Sequence, residues 1–379
     1  MPLHFDRSEL AARRAILRRR LAAENLDGLL IFRQESMYYL TGYDTFGYVF
    51  FQCLYIGADG DMFLLTRKPD LLQAQLTSDI EAIHIWKDED GADPASDLKS
   101  LLHKGKHLGI ELDAYGLTAQ NGFRLKDVLD GFCTLTDASR LVTEQRLIKS
   151  PAEIVYVRRA AELADDALDE AHRLTKPGAD EGEILAAMQG AVFKGGGDYP
   201  GNEFIIGSGP QALLVRYAAG RRKLDAQDQL TLEFAGVYRH YHACLMCTIL
   251  LGEVSQRQRD MHKAAVDAMA ACIDAIKPGR TFGDVFAAHV MSVEKSGFAD
   301  SRLNACGYSL GTTFSPNWMD WPMLYANNPV ELQPGIVLFL HMILVDGARG
   351  LAMNPGQTVL VTEDGCEVLS RHDLDLVVK

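Results

Sequence analysis

Five consecutive residues, Lys149-Ser150-Pro151-Ala152-Glu153, constrain the fold more than any other part of the chain. Ser150 suits a helix N-cap, and Pro151 suits the first helical position, where its missing N–H removes no bond. Glu153 can reach back to the N-cap amide and complete a capping box. A helix is therefore predicted from Pro151 to about Thr175, ended by Lys176-Pro177-Gly178, with a second from near Asp180 to the glycines at 195–197. The arrangement recurs: a helical pattern over Gln256–Ile276 ends in Lys277-Pro278-Gly279, and a shorter one follows over Phe282–Ser296. We read this as an internal duplication, matched at the turns more than in the flanking residues. The capping box also marks a seam, so two domains are expected, 1–148 and 149–379.

Before the seam, Leu10, Ile16, Leu17 and Leu21 repeat at helical spacing within Arg7–Glu24, with arginines on a solvated face. Gly28–Phe32, Tyr48–Ile56, Asp61–Thr66 and His107–Glu111 read as strands, which gives a compact α/β unit. Beyond the seam, Phe204–Ile206, Gln229–Ala235, His240–Leu251, Ile336–Leu344 and Thr358–Thr362 read as strands, which makes the larger unit α+β.

Charge narrows the partners. Lys plus Arg is 38 and Asp plus Glu is 51, a net −13, which argues against nucleic acid or an anionic membrane surface. No stretch of about 18 apolar residues occurs, and the N-terminus lacks the apolar core of a signal peptide. The 7 cysteines are odd in number and form no disulfide pattern. A soluble protein of a reducing compartment, the cytoplasm, is expected.

The residues that could carry chemistry lie in the second half. Gln229, Thr231, Glu233 and Ala235 share one strand face, and Glu233 stands in a run too apolar to hold an unused carboxylate cheaply. It is either an edge-strand residue in solvent or a pocket carboxyl with a shifted pKa. His240, His242, Cys244 and Met246 share a face of the next strand. The histidines suit metal ligation, acid–base work or a satisfied core position equally. Cys244 and Cys247 spell C-x-x-C, but residues three apart on a strand point to opposite faces, which rules against a redox or zinc pair. His341 lies within an apolar strand. Arg216 suits either a grip on a substrate carboxylate or a salt bridge. Residues 304–322, with Phe314 and Trp318, have the loop-forming and aromatic character of a pocket wall. Phosphate-binding glycine loops, H-E-x-x-H and G-x-S-x-G are absent.

Several stretches together resemble the creatinase and Xaa-Pro peptidase superfamily, the pita-bread fold. They are YYLTGY (38–43), LIKSPAEI (147–154), the KPG break (176–178), IIGSGPQALLVRY (205–217), GYSLG (307–311), ELQPGIVLFLH (331–341) and TVLVTEDGCEVLS (358–370). The resemblance spans nearly the whole chain. It implies a pita-bread catalytic domain behind a creatinase-type N-terminal domain. It also implies a homodimer in which Phe46–Gln52, including Tyr48 and Phe50, caps the partner's site.

The metal-dependent members hold a dinuclear centre with two aspartates, a histidine and two glutamates. The corresponding positions here carry Glu233, Cys244, Tyr308, His341 and the Gly356-Gln357 pair. A dinuclear site needs bridging carboxylates and oxygen-rich ligation, a set that one glutamate cannot supply, so no metal and no cofactor is expected. Among metal-free members, creatinase is disfavoured, because its catalytic histidine and guanidinium-gripping glutamate positions hold Arg216 and Met246. Ectoine hydrolase is nearer in wording but differs at Ala352. The expected activity is metal-independent hydrolysis of a C–N bond in a small polar carboxylate-bearing compound. Glu233 would be base or nucleophile, His242 and His341 proton shuttles, Tyr308 an oxyanion donor and Arg216 the carboxylate grip. His240, Cys244, Phe314 and Trp318 would line the pocket. A metallopeptidase with altered ligands and a non-catalytic binding protein are the alternatives.

Overall fold

A computed structural model describes residues 3–216 and 221–379. The chain divides into two compact units, Met1–Arg146 and Leu147–Lys379. In the first, α1 (Arg7–Ala23), α2 (Gln34–Thr41), α3 (Leu71–Thr77), α4 (Pro94–Leu101), α5 (Ala119–Leu129) and α6 (Arg140–Gln145) surround one sheet. Its strands are β1 (Gly28–Ile31), β2 (Cys53–Gly57), β3 (Met62–Arg67), β4 (Ala82–Trp86), β5 (His107–Ile110) and β6 (Thr134–Asp137), in the order β4-β3-β2-β1-β5-β6. Alternate residues of β1 feed two cores: Leu29 and Ile31 join Leu17 and Leu21 of α1, while Leu30 joins Leu98 and Leu125 of α4 and α5.

One expected strand is shorter than its sequence. Tyr48–Ile56 pairs only from Cys53: β1 partners Leu54 to Gly57, and β3 partners Cys53 to Ile56. The stretch Gly47–Val49 is instead a 3₁₀ turn, and Phe46, Val49 and Phe50 stand exposed while Phe51 and Gln52 turn inward.

The second unit holds α7 (Pro151–Leu174), α8 (Glu181–Lys194), α9 (Gln256–Ala275) and α10 (Phe282–Lys295). Its strands are β7 (Ile205–Ser208), β8 (Asp228–Tyr238), β9 (Tyr241–Leu251), β10 (Gly307–Ser309), β11 (Asp320–Met323), β12 (Val337–His341), β13 (Leu344–Asp346), β14 (Leu351–Met353), β15 (Gly356–Val361), β16 (Cys366–Val368) and β17 (Val377–Val378). The main sheet runs β11-β10-β12-β15-β9-β8-β7, and β13 pairs with β14 apart from it.

The capping box forms at α7: Ser150 Oγ accepts from the Glu153 amide and Glu153 Oε2 accepts from the Ser150 amide. The other oxygen of Glu153 accepts from the Tyr241 hydroxyl at 2.8 Å, which ties the helix start to β9. Beyond it, α7 lies directly on β8. A Cβ at Gly236 would stand 1.9 Å from the Ala160 carbonyl oxygen, so only glycine permits this approach. Arg239 and His240, both with positive φ, form the two-residue turn between β8 and β9, so His240 is a turn residue and not part of the strand.

The duplication is visible in the backbone. Gly178 and Gly279 both adopt φ of +81°. The Gly178 amide donates to the Leu224 carbonyl, the Leu224 amide to Ala179, and the Glu181 amide to Arg222. In the second copy Gly279 donates to Leu332, Leu332 to Arg280, and Phe282 to Val330. The shift in sequence that carries Leu224 onto Leu332 also carries Glu233 onto His341. Among the described residues, no helix is long and apolar enough to cross a membrane.

Candidate active site

Sheet register brings Glu233 and His341 together. Glu233 on β8 stands opposite Met246 on β9, Met246 opposite Gly356 on β15, and Gly356 opposite His341 on β12. Directly opposed residues share a sheet face, so the four form one row across the sheet. Gly236, an odd number of positions from Glu233, faces α7, which leaves Glu233 on the other side. On that side Glu233, Tyr308, Trp318, His341, Arg216 and Asn202 line a cavity of ≈ 130 Å³, whose apolar wall includes Ile205, Leu303, Met319, Met323 and Ile343.

Glu233 is buried, on an inner strand between β7 and β9, so the edge-strand reading fails. Burial pushes its carboxyl up to about 7, against the pull of the Tyr308 hydrogen bond and the Arg216 charge. The Tyr308 hydroxyl donates to Glu233 Oε1 at 3.3 Å and accepts from Trp318 Nε1 at 2.8 Å. Burial raises the Tyr308 phenol above its usual range, so it stays protonated. Its one proton is engaged with Glu233, which makes Tyr308 a support for the carboxyl and corrects its expected role as an oxyanion donor. Burial and the neighbouring His289 and Arg216 pull His341 down to about 4, so its imidazole is neutral near pH 7. His341 Nδ1 is buried without a hydrogen-bond partner, an acceptor or donor open to a bound molecule. Arg216 lines the cavity and is an exposed residue. Tyr217, the next residue of its motif, lies outside the described residues.

Other expected site residues fall elsewhere. His242 Nε2 accepts the Gly201 amide at 2.8 Å, and Nδ1 meets the His240 carbonyl at 2.9 Å and Thr313 Oγ1 at 3.1 Å. A ring held at both nitrogens in the neutral Nδ1–H form cannot shuttle protons without breaking a bond. Burial accordingly pulls its pKa down to about 3. His242 is a structural residue, which corrects its expected catalytic role. His240 stacks on Phe314 with ring centroids 4.1 Å apart, and neither lines the cavity. Cys244 is also absent from the lining. Its thiol is fully buried and, through that burial and Glu233 nearby, is held protonated. Tyr48 and Phe50 belong to the first unit, where Phe50 lies under the Arg67 guanidinium. Met319 falls within the expected 304–322 wall, whereas Asn202 and Met323 lie outside it: Asn202 sits in an irregular stretch without periodicity, and Met323 ends β11. Asn202 Oδ1 accepts the Trp318 amide and so fixes the tryptophan that supports Tyr308.

The donor set is a poor fit to a dinuclear metal centre. Glu233 is the one carboxylate among the family's five ligand positions, and Cys244 is a protonated thiol. At the last position, a Cβ on Gly356 would lie 2.8 Å from both Met246 Cβ and the Phe339 ring, so no acid could be accommodated there. Gln357 points instead to the His372 carbonyl, to which its amide donates.

Comparison with known proteins agrees with the fold. A family model described as "Metallopeptidase family M24" matches residues 155–363, and one described as "Creatinase/Prolidase N-terminal domain" matches residues 13–148. Among curated relatives, an ectoine hydrolase from Halomonas elongata is 28% identical, covering 100% of this chain and 99% of that protein. An Xaa-Pro dipeptidase from Pyrococcus furiosus is 23% identical, with 93% and 96% covered. The crystal structure of the prolidase from Pyrococcus horikoshii superposes with a TM-score of 0.86 at 20% identity, covering 97% of this chain and 100% of that one. The fold is therefore the two-domain arrangement of a creatinase-type N-terminal domain and a pita-bread C-terminal domain.

Proposed function

We propose, from the premise that this chain belongs to metallopeptidase family M24 and is a hydrolase, that it hydrolyses a C–N bond of a small polar carboxylate-bearing amide, amidine or cyclic amidine without a metal centre. The observation that carries this reading is one cavity holding a buried carboxyl that ionises near neutrality, a guanidinium and an unpartnered imidazole nitrogen. Glu233, ionised, takes a proton from water as the water oxygen adds to the substrate carbon. The C–N bond then breaks, and the nitrogen leaves with the proton Glu233 received. His341 Nδ1 meets a polar atom of the substrate beside that bond. Arg216 holds the carboxylate as a two-pronged donor, and Tyr308, braced by Trp318, positions Glu233.

Two relatives frame the choice of substrate: one is named for ectoine and one for Xaa-Pro dipeptides. The missing carboxylates favour the first kind of chemistry over the second. Purified protein should be screened by mass spectrometry against N-acyl amino acids, cyclic amidines including ectoine, and Xaa-Pro dipeptides with and without Mn(II). We expect turnover of an amide or amidine that Glu233→Gln lowers roughly 10³-fold with the fold intact. Full activity in that variant, or Xaa-Pro cleavage that requires the added ion, would overturn the reading.

A further inference from the structure

The second unit contains a second cluster of chemically capable side chains, separate from the cavity. Cys272 on α9, His289 on α10 and Cys306 just before β10 place two Sγ atoms and a ring nitrogen all within 4.8 Å of one another. All three residues are buried in the core between the two helices and the sheet. His289 is 1% exposed, yet its Nε2 has no hydrogen-bond partner. Its Nδ1 lies 3.2 Å from the thioether sulfur of Met342. A buried imidazole nitrogen left unsatisfied beside two thiols needs an explanation, and apolar packing alone does not give one.

We propose that Cys272, His289 and Cys306 bind one thiophilic divalent cation of the zinc class. Two thiolates and an imidazole are the donors such an ion selects. Charge supports a divalent ion: each thiol gives up a proton to solvent on binding, and the two thiolates together neutralise the ion, so no net charge enters the apolar core. The ligands join α9 and α10 to the back of the strands that carry the cavity. The Cys306 carbonyl accepts the His341 amide at 3.0 Å, and Met342 follows His341. An ion there would pin the base of the β10–β12 pair without touching Glu233.

The test uses the intact protein, stripped with chelator and kept reduced, titrated with Co(II). We expect thiolate-to-cobalt charge-transfer absorption that saturates at one equivalent and is bleached by one equivalent of Zn(II). It should be lost in Cys272→Ser and Cys306→Ser and retained in Cys133→Ser and in Glu233→Gln, which separates this site from the catalytic reading. Because core variants can misfold, wild-type protein should also be labelled with an alkylating reagent in mild denaturant. Zn(II) should slow modification of Cys272 and Cys306 and leave Cys133 unchanged. Folded wild-type protein that shows no charge-transfer band, or equal labelling with and without Zn(II), would overturn the proposal.

Discussion

At the scale of single residues, Glu233 and His242 show how surroundings assign roles to groups of similar promise. Glu233 is buried with a neutral phenol as its hydrogen-bond donor, so its proton is retained up to about pH 7. If the carboxylate is the base, kcat/KM rises with pH through about 7 and then levels. Tyr308→Phe removes a bond that favours the ionised form, so the rising limb should move to higher pH. An unmoved limb would disprove the support role. The same shift has a stability consequence. Between the ordinary value of 4.5 and about 7 the folded state binds the proton that the unfolded state has released, so stability falls as pH rises through that window. Wild type should lose roughly 3 kcal/mol across it, and Glu233→Gln should not, as denaturant melts at several pH values would report. His242 behaves oppositely. It is neutral when folded, with its pKa pulled to about 3, so stability falls as pH drops below its ordinary 6.5. His242→Ala leaves the Gly201 amide unpartnered and should cost about 1–3 kcal/mol. A comparable loss in catalysis at full folding would restore its expected catalytic role.

At the scale of elements, two kinds of glycine can be told apart. Gly178 closes α7 in the left-handed region with open space around it, so Gly178→Ala should cost only backbone strain, about 1–2 kcal/mol. Gly236 lies under α7, where a Cβ meets helix backbone, so Gly236→Ala must push the helix off β8 and should cost more than Gly178→Ala. Equal melting temperatures for the two variants would refute the close approach as the reason for glycine. The helix starts, the Lys-Pro-Gly stops and the repeat were legible because capping and turn chemistry are local. The shortened β2 was not legible: Tyr48–Gln52 has strand-forming residues, but the extent of pairing is set by distant partners, β1 and β3.

At the scale of the whole molecule, the exposed side chains of Phe46, Val49 and Phe50 in one short stretch suit the homodimer that the family resemblance implies, in which this segment would cap a partner's site. Phe46→Asp with Phe50→Asp should leave the first unit folded, since both rings are exposed, while raising KM or yielding monomer by light scattering. An unchanged dimer with unchanged KM would remove the segment from the site. The net charge of −13 is spread over 51 acidic and 38 basic residues, while four of the five positions that the resemblance assigns to metal ligands hold groups other than carboxylates.

The sequence by itself determined the two-part organisation, the duplicated helix pairs, the loss of the family's metal-ligand carboxylates and the candidacy of Glu233, His341, Tyr308, Trp318 and Arg216. These are matters of local chemistry or of residue type at a matched position. Only the tertiary structure separated the two histidines: both ring nitrogens of His242 are engaged, while His341 Nδ1 is buried without a hydrogen-bond partner. It alone raised the Glu233 pKa, since desolvation depends on every element packed around a carboxyl. It alone gathered Cys272, His289 and Cys306, which lie on two helices and a loop with no motif spacing between them, because proximity across a core is a property of packing.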